Sequence, residues 1–259
     1  RSNSKIKDRK GRPLQHTFSV LYSMKTLIGS CTKHDQENFQ KTPTYTSMLQ
    51  GFKHAGNKDY EFYEGTFTDA VIKTSNKENI GKHYNKVLKM GVDEGYDCVV
   101  LMHDDVQMDD YGWSDKVQEA FKEYDVVGLA GAKHVTIKQP ALWHLMAKRE
   151  DWSGAVAHPY NEEQIFMTNF GPMPSRCIVL DGLFLAVKVS SLTPDIRFDE
   201  NLPAIAHHYD LDFCLQANKH KLKLTTWPIW AIHKSCGLDN ADDQFKSSEE
   251  YFIDKWTKN

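Results

Sequence analysis

The tripeptide His103-Asp104-Asp105 places an imidazole and two carboxylates directly after the apolar run at residues 98–102. These side chains offer hard oxygen ligands with open coordination positions, a set that suits Mg²⁺ or Mn²⁺ holding a phosphate group. Adjacent acidic residues are also common in solvated turns and at helix caps. The tripeptide alone therefore leaves both interpretations open. The apolar, β-branched run before it is typical of a strand buried on both faces, which favours the metal site.

A second group of polar side chains occupies residues 207–212, before a helical pattern of apolar residues. Asp210 and Asp212 lie near the expected start of this helix, where the helix dipole stabilises a carboxylate in any protein. A carboxylate held near a metal-bound phosphate could instead act as a general base. His233 directly follows the last apolar run and, taken alone, is typical of a packed or capping histidine. These residues become informative only through the elements that position them.

The spacing of apolar residues predicts an alternation of strands and helices in the first half of the chain. The predicted elements are strands over 26–31, 60–67, 98–102 and 126–130, with helices over 79–91 and 117–124. This order predicts an α/β fold with a parallel sheet. Because parallel sheets bind ligands beyond the carboxyl ends of their strands, the position of His103 and the two acidic residues after it indicates a ligand site.

The second half of the chain begins with a less regular pattern. From about residue 133 to 177, tryptophan, glycine and proline interrupt the few periodic stretches, so we expect a loop-rich region over one face of the sheet. An apolar strand is then predicted over 177–188, interrupted by Asp181-Gly182. A helix over 210–219 and a last strand over 222–232 follow.

Composition places the chain among folded globular proteins. Of its 259 residues, 40% are apolar and 12% aromatic, and the net charge is −3, which excludes disorder over most of the length. With 32 basic against 35 acidic residues there is no overall field to hold a nucleic acid, and none is expected as a partner. No run approaches the ~20 apolar residues of a membrane-spanning helix, and the mean hydropathy is −0.57.

The N-terminal segment and the cysteines indicate the organisation of the chain. Residues 1–16 are basic and expected to form a disordered leader, and residues 17–259 are expected to form one domain. The five cysteines are scattered without a Cys-x-x-Cys spacing, which argues against a disulfide framework or a zinc site. We therefore expect a reducing compartment, the cytoplasm. The oligomeric state stays open, because the aromatic amphipathic tail could pack on its own core or on another subunit.

Six short motifs occur in an order that resembles a known family. They are Asn79-Ile80-Gly81 with Tyr84-Asn85, then residues 99–106 (VVLMHDDV), 126–131 (VVGLAG), 180–184 (LDGLF) and 209–215 (YDLDFCL), and Ile232-His233. Over roughly residues 25–237 the chain resembles the GT-A fold glycosyltransferases, in particular family-2-like members with a His-x-Asp-Val version of the DxD motif. The resemblance implies a Rossmann-like, mostly parallel central sheet flanked by helices. It also implies a nucleotide-sugar half at about 25–132, a loop-rich acceptor half at about 133–240 and a helical tail at 241–259.

The resemblance implies roles for individual residues. Asp105 and His233 match metal ligands, the metal being Mn²⁺ or Mg²⁺ that bridges the pyrophosphate of a nucleoside-diphosphate sugar, with UDP as the expected nucleotide. Positions near the donor are matched by Cys31, Thr32, Asn79, Lys82, Tyr84, His103 and Asp104. Acceptor-side positions are matched by Trp152, Asp181 and Gly182.

Asp210 matches the general base of inverting members of this family. Tyr209 stands where the family usually has glutamate, and Gln216 replaces a frequent arginine, so the base stays open between Asp210 and Asp212. The implied reaction moves a sugar, with inversion, to a hydroxyl group of a glycan or other acceptor in a single displacement. Two alternatives stay open. One is a metal-dependent phosphohydrolase or nucleotidyltransferase, which also places acids at strand ends, and the other is a catalytically silent sugar-binding module.

Overall fold

The computed structural model describes residues 24–54, 70–161, 164–235 and 242–258. Within these ranges the chain forms thirteen strands in two sheets. They are β1 (Thr26–Cys31), β2 (Ala70–Lys73), β3 (Cys98–His103), β4 (Val106–Met108), β5 (Val126–Gly128), β6 (Ala130–Ala132), β7 (Trp152–Pro159), β8 (Ile165–Gly171), β9 (Ser175–Cys177), β10 (Val179–Leu180), β11 (Phe184–Lys188), β12 (Leu224–Thr226) and β13 (Ala231–His233). The basic leader at 1–16 and the strand predicted over 60–67 lie outside the described residues.

Seven α-helices accompany the strands in the described part of the chain. They are α1 (Gln36–Phe39), α2 (Pro43–His54), α3 (Ile80–Asp93), α4 (Trp113–Ala120), α5 (Trp143–Met146), α6 (Tyr209–Lys219) and α7 (Asp243–Thr257). The start of α3 has a local cause, because the Asn79 side chain accepts a hydrogen bond from the Gly81 N–H at 2.7 Å. Among the described residues, no helix is long and apolar enough to cross a membrane.

The central sheet has seven strands in the order β2-β1-β3-β11-β5-β12-β9. Five of them, β1, β2, β3, β5 and β12, point the same way, while β11 and β9 run against them. The α/β class is therefore confirmed, and the mostly parallel sheet is confirmed only in part. The physical reason is that β11 enters between β3 and β5, so the middle of the sheet is antiparallel although its first three strands are parallel.

The second sheet has the order β10-β6-β7-β13-β4, with β8 paired to the other side of β7. Here the prediction of a loop-rich region over 133–177 is wrong in its centre, because β7 and β8 form an antiparallel hairpin with six paired positions. A register shift after Gly154, whose φ is +108°, breaks the alternation of buried and exposed residues along β7. A strand with such a bulge does not show the alternation of period two by which strands are recognised in a sequence.

Three predicted strands are each divided between the two sheets. The run at 126–130 becomes β5 and β6, the run at 177–188 becomes β9, β10 and β11, and the run at 222–232 becomes β12 and β13. In the last case Pro228 lies between the two strands, and proline cannot donate to a strand ladder. The apolar run at 126–130 did not reveal its division, because β5 and β6 are both fully buried.

The middle of the central sheet forms the core that supports the site. Residues 98–102 of β3 and 184–187 of β11 are at most 2% exposed, as expected of strands covered on both faces. The carboxyl ends of β1 and β3 and the beginning of β11 lie at the same edge of this sheet. Polar side chains that follow β1 and β3 therefore meet at that edge.

Candidate active site

The parallel register of β1 and β3 determines which polar residues meet at the carboxyl edge. Cys31 lies opposite His103, and the next residue of each strand continues the contact, with Thr32 Oγ1 donating a hydrogen bond to Asp104 Oδ2. The Thr44 hydroxyl from α2 lies 2.6 Å from the carbonyl oxygen of His103 and accepts from the N–H of Val106 at 3.1 Å. The turn that carries the two acidic residues is thereby held in place.

The antiparallel pairing of β4 with β13 brings a residue from the far end of the chain to this turn. His233 lies opposite Val106, and its Nε2 atom is 3.3 Å from Asp105 Oδ1. His103 Nδ1 is 3.9 Å from the same carboxylate oxygen. The ligand atoms of the three side chains all lie within 4.8 Å of one another. His103, Asp105 and His233 are called the triad below.

The triad fits a divalent metal ion. Asp105 Oδ1 and His233 Nε2 are both buried and make no hydrogen bond, although they are only 3.3 Å apart. The two nitrogen–oxygen separations, 3.3 and 3.9 Å, are each shorter than the combined length of one metal–nitrogen and one metal–oxygen bond of about 2.1 Å each, so one ion could contact both atoms of either pair. Two imidazole nitrogens and one carboxylate oxygen form a common ligand set of divalent transition metals.

The electrostatics of the triad follow from the closeness of its members. Burial alone would raise the pKa of Asp105, but contact with His233 and the nearby His103 hold it below its ordinary value. Burial alone would lower the pKa of His233, but Asp105 raises it. Burial lowers the pKa of His103, which keeps this imidazole in its neutral, metal-binding form.

Tyr209 contacts His103 on the side of the imidazole ring that faces away from Asp105. Its hydroxyl oxygen lies 2.6 Å from His103 Nε2 and donates to the Gly182 carbonyl oxygen at 3.2 Å. A phenol has one hydrogen, so an oxygen that donates to Gly182 accepts from His103, which places the imidazole proton on Nε2. The Nδ1 lone pair then faces Asp105. Sequence reasoning noted Tyr209 only as a departure from the family, and the geometry places it in the site.

The structure separates the two candidates for the base, Asp210 and Asp212. Asp210 Oδ2 accepts a hydrogen bond from the Gly182 N–H at 2.9 Å, and burial together with the charge of Asp181 raises its pKa to about 7. Asp212 is 1% exposed and faces α7, where its carboxylate lies 2.7 Å from Lys255 Nζ and 2.8 Å from Trp256 Nε1. Asp210 therefore faces the site, and Asp212 joins α6 to the C-terminal helix.

Six of the seven predicted donor residues fall into two groups, and the seventh, His103, belongs to the triad. Thr32 and Asp104 contact each other at the strand ends, beside the buried Cys31, whose pKa burial raises to about 12. The others belong to the start of α3. Asn79 caps the helix and donates to the Leu202 carbonyl oxygen at 2.7 Å, and Lys82 is half-buried in the first turn.

Tyr84 does not reach the surface of the site. It is 0% exposed, packs edge-on against Tyr209 with ring centroids 5.7 Å apart, and donates to the Met102 carbonyl oxygen at 3.4 Å. Its expected contact with the nucleotide is therefore corrected, because a fully buried ring supports the floor of the site from below.

Two of the three predicted acceptor-side residues line a cavity of about 300 Å³ that also includes His233 of the triad. Trp152 begins β7 and lines this cavity with Asp181, and Gly182 lies between Asp181 and Asp210 without lining it. Sequence reasoning missed most of the lining, which also includes Ala130, Trp143, His144, Val156, His158, Phe166, Thr168, Phe170, Leu183 and His233. The one available signal was the density of aromatic residues and histidines in the region expected to be loops.

Comparison with known proteins adds a family. The profile of a family described as "Glycosyltransferase like family" matches residues 59–256. Among solved structures, A197 from STIV aligns over 78% of this chain and 81% of its own, with 14% identity and a TM-score of 0.41. A mutant β1,4-galactosyltransferase 7 from Drosophila, in complex with manganese, UDP-Gal and xylobiose, aligns over 78% of this chain and 65% of its own, with 10% identity and a TM-score of 0.43. No curated protein sequence matches the chain.

The family profile covers more than half of the chain. It begins after β1 and includes all three members of the triad as well as Tyr209 and Asp210. Asp104 also lies inside the matched region, whereas Cys31, Thr32 and Thr44 lie before it. The chain belongs to the glycosyltransferase-like family.

Proposed function

We propose that this protein is a metal-dependent, inverting glycosyltransferase that uses a nucleoside-diphosphate sugar, with UDP as the expected nucleotide. The observation that carries the proposal is the triad, in which two buried ligand atoms face each other without a hydrogen bond. The carboxylate of Asp210, with a pKa near neutrality, is joined to this triad through Gly182 and Tyr209. Metal ligands and a base are thus built on one connected support.

The triad would hold the metal, and Mn²⁺ is favoured over Mg²⁺ because two of its three ligand atoms are nitrogens. When bound, a divalent ion stabilises the negative charge that develops on the departing nucleoside diphosphate. Thr32 and Asp104 lie at the adjacent strand ends, and Asn79 and Lys82 at the start of α3. We assign these residues to the nucleotide side of the donor, Thr32 and Asp104 by contact and Asn79 by shaping the loop.

Asp210 would act as the general base. Its pKa of about 7 leaves a large ionised fraction at neutral pH, while the carboxylate remains a stronger base than an ordinary aspartate. The acceptor oxygen forms a bond to the anomeric carbon as the bond from that carbon to the phosphate oxygen breaks, and Asp210 takes the hydroxyl proton. Attack from the face opposite the leaving group inverts the configuration. Asp212 is not needed for this step, because its carboxylate is bound to Lys255 and Trp256.

The acceptor would enter on the side of Trp152 and Asp181. Both line the cavity beside the triad, and Asp181 is followed by Gly182, which binds Asp210. A hydroxyl presented from this cavity is therefore directed toward the base. We propose a glycan or another hydroxyl-bearing molecule as the acceptor, and the cytoplasm as the compartment, since the four described cysteines are free.

Thermal unfolding with UDP, GDP, dTDP and CMP, each with Mn²⁺ or with EDTA, tests the donor site. A ligand at ~100 times its dissociation constant stabilises the folded state by ~2.7 kcal/mol. We expect stabilisation by one nucleoside diphosphate, lost with EDTA and lost in Asp105→Ala. Glu123→Ala is the matched control, because it removes an exposed carboxylate just before the amino end of β5, at the opposite edge of the sheet.

The products of turnover separate the proposal from its alternatives. A glycosyltransferase releases the nucleoside diphosphate together with a glycosylated acceptor, or with free sugar when water is the acceptor. Release of inorganic phosphate or pyrophosphate would identify a phosphohydrolase or a nucleotidyltransferase instead. Tight, metal-dependent donor binding without turnover on any acceptor would identify a silent module.

A further inference from the structure

The cavity beside the triad has one wall made of three aromatic rings. Trp143, Trp152 and Phe170 pack edge to face, with ring centroids 5.1 to 6.2 Å apart. Both indole N–H groups are already bound, Trp143 to Asp181 Oδ2 at 2.9 Å and Trp152 to the His144 carbonyl oxygen at 3.0 Å. These bonds hold the rings in position, so the wall is a preformed apolar surface with a carboxylate at its edge.

Other lining side chains come from further along the β7–β8 hairpin and from β13. His158 stacks on Phe166, with ring centroids 5.6 Å apart, and lies 6.0 Å from the ring of His233. Phe166 is 47% exposed and lies at the mouth of the cavity. Thr168, two residues further along β8, lines the same side and contacts His158 Nδ1 at 3.1 Å. The cavity therefore extends from the triad to the solvent-exposed hairpin.

The charge of the cavity restricts what it can hold. Among the described residues that line it there is no lysine or arginine, and Asp181 is the acidic one. Burial lowers the pKa of His144, so this imidazole is neutral at physiological pH. Asp181 would repel a carboxylate that enters the cavity, and no lysine or arginine among the described lining residues offsets this repulsion. Arg149, whose guanidinium carbon lies 4.5 Å from the Trp152 ring centroid, does not line the cavity.

We propose that this cavity binds one neutral sugar ring, whose apolar face packs on the Trp143–Trp152–Phe170 wall and whose hydroxyls bind Asp181, His158 and Thr168. This inference rests on the proposed function and names the substrate class of the same site. A volume of about 300 Å³ lies at the lower limit of small-molecule pockets, which suits a single ring. A carboxylate, an imidazole and a threonine hydroxyl are suited to sugar hydroxyl groups, which both donate and accept hydrogen bonds.

The ring could belong to the donor or to the acceptor. The cavity touches His233 of the triad, which would lie beside the donor pyrophosphate, and also Asp181, which precedes the residue bound to the base. Both sources share the chemistry of a neutral pyranose. Binding measurements with UDP, UDP-sugars and free glycosides distinguish them.

The experiment compares neutral with anionic sugars in two arms. In the donor arm, Mn²⁺-dependent dissociation constants are measured for UDP, UDP-glucose, UDP-galactose and UDP-glucuronic acid. In the acceptor arm, saturation-transfer NMR with Mg²⁺ and UDP present measures the binding of methyl glucoside, galactoside, mannoside and glucuronide. We expect one arm to show a neutral sugar that binds about tenfold more tightly than its carboxylate analogue, in line with the cost of a buried like-charge pair of at least about 1.4 kcal/mol.

Two variants of β8 and one of β7 test the position of the sugar. Phe166→Ala and Thr168→Val alter residues that line the cavity, and Met167→Ala is the matched control, because Met167 lies between them, is 42% exposed and does not line it. Trp152→Leu removes part of the wall. We expect Trp152→Leu and Phe166→Ala to weaken the neutral sugar by about threefold to tenfold, in the range of aromatic contacts, while Met167→Ala and the affinity for UDP stay unchanged.

The outcomes separate this inference from the proposed function. If UDP binds with Mn²⁺ but neutral and anionic sugars bind alike, or the cavity variants bind as the wild type does, the inference is overturned and the glycosyltransferase remains. If UDP does not bind at all, the proposed function fails. Binding of a neutral glycoside that is lost in Phe166→Ala and kept in Met167→Ala would then still support the cavity as a sugar site.

Discussion

Replacing Tyr209 with phenylalanine removes one oxygen atom from behind the triad and leaves the ring in place. That oxygen accepts a hydrogen bond from His103 Nε2 over 2.6 Å and donates one to the Gly182 carbonyl oxygen over 3.2 Å. Without this oxygen, no hydrogen-bond acceptor holds the imidazole proton of His103 on Nε2. We expect Tyr209→Phe to weaken metal binding, because the imidazole can rotate or place its proton on the nitrogen that faces Asp105.

The magnitude can be reached by two routes. Loss of an outer partner of a metal-binding histidine lowers metal affinity by about 10- to 100-fold, which corresponds to about 1.4–2.8 kcal/mol. Separately, a buried polar group left without its hydrogen bond costs about 1–3 kcal/mol, and Tyr209 is 2% exposed, so water does not replace its hydroxyl. The two ranges agree, and we expect Mn²⁺ affinity to fall by one to two orders of magnitude.

Mn²⁺ binding is followed by electron paramagnetic resonance, which counts free Mn²⁺ and needs no turnover. The ¹⁵N shifts of His103 in the metal-free protein report the tautomer directly, and we expect the wild type to carry its proton on Nε2. Tyr251→Phe is the control, because it also removes a bonded phenol oxygen, here one that donates to Asp199 at 3.0 Å, and it does not touch His103.

Two results would refute this reasoning. One is a Tyr209→Phe protein that binds Mn²⁺ as tightly as the wild type. The other is a wild-type His103 whose proton is on Nδ1, because the triad would then present a hydrogen instead of a lone pair to the metal. A general loss of folding would lower the melting temperature and the Mn²⁺ affinity together. The Tyr251→Phe control measures how much the loss of one phenol hydrogen bond lowers the melting temperature when the triad is not touched.

Three further predictions concern the residues around the base. Asp210→Asn should abolish transfer, and the wild-type rate should rise as the pH passes about 7. Because the pKa of Asp210 is about 7 in the folded protein and 3.8 in the unfolded chain, the stability of the wild type falls between about pH 4 and pH 7. At pH 8 the variant should therefore be more stable than the wild type by up to about 4 kcal/mol in urea unfolding. An unchanged rate would remove Asp210 from the mechanism. Gly182→Ala would place a Cβ 2.2 Å from the Tyr209 hydroxyl, so we expect a lower melting temperature and weaker Mn²⁺ binding, and a wild-type Mn²⁺ titration would contradict this. Asp212→Asn should lose about 1–3 kcal/mol of stability with its Lys255 ion pair but retain transfer at low temperature; loss of transfer in a folded protein would return the role of base to Asp212.

Local signals in the sequence predicted the elements whose ends and burial pattern depend on nearby residues. The strand over 26–31 and the buried run at 98–102 are strands, and the helix over 79–91 begins where Asn79 caps it. The predicted helix over 210–219 is α6. In each case the element is recognised from a contact between neighbours in sequence or from an uninterrupted run of apolar residues. Its prediction therefore does not depend on residues far along the chain.

The elements that were wrong depend on distant partners. The runs at 126–130 and 222–232 each divide because the two sheets diverge, and an apolar run is equally suited to either sheet. The β7–β8 hairpin was missed because its bulge at Gly154 breaks the period of two and because residues 165–167 of β8 are exposed. A sequence pattern predicts a strand when buried and exposed residues alternate, and the residues of this hairpin do not alternate in that way.

By itself the sequence determined the residue types of the site, namely two carboxylates and an imidazole after a buried strand, an acidic pair at a helix start, and a histidine after the last apolar run. Only the tertiary structure decided their roles. The register of β4 on β13 brings His233 to Asp105, the packing of α7 binds Asp212 to Lys255, and the turn at Gly182 joins Asp210 to Tyr209 and His103. Contacts between residues 27 to 128 positions apart bring these side chains together and leave two ligand atoms of the triad, Asp105 Oδ1 and His233 Nε2, buried without a hydrogen bond.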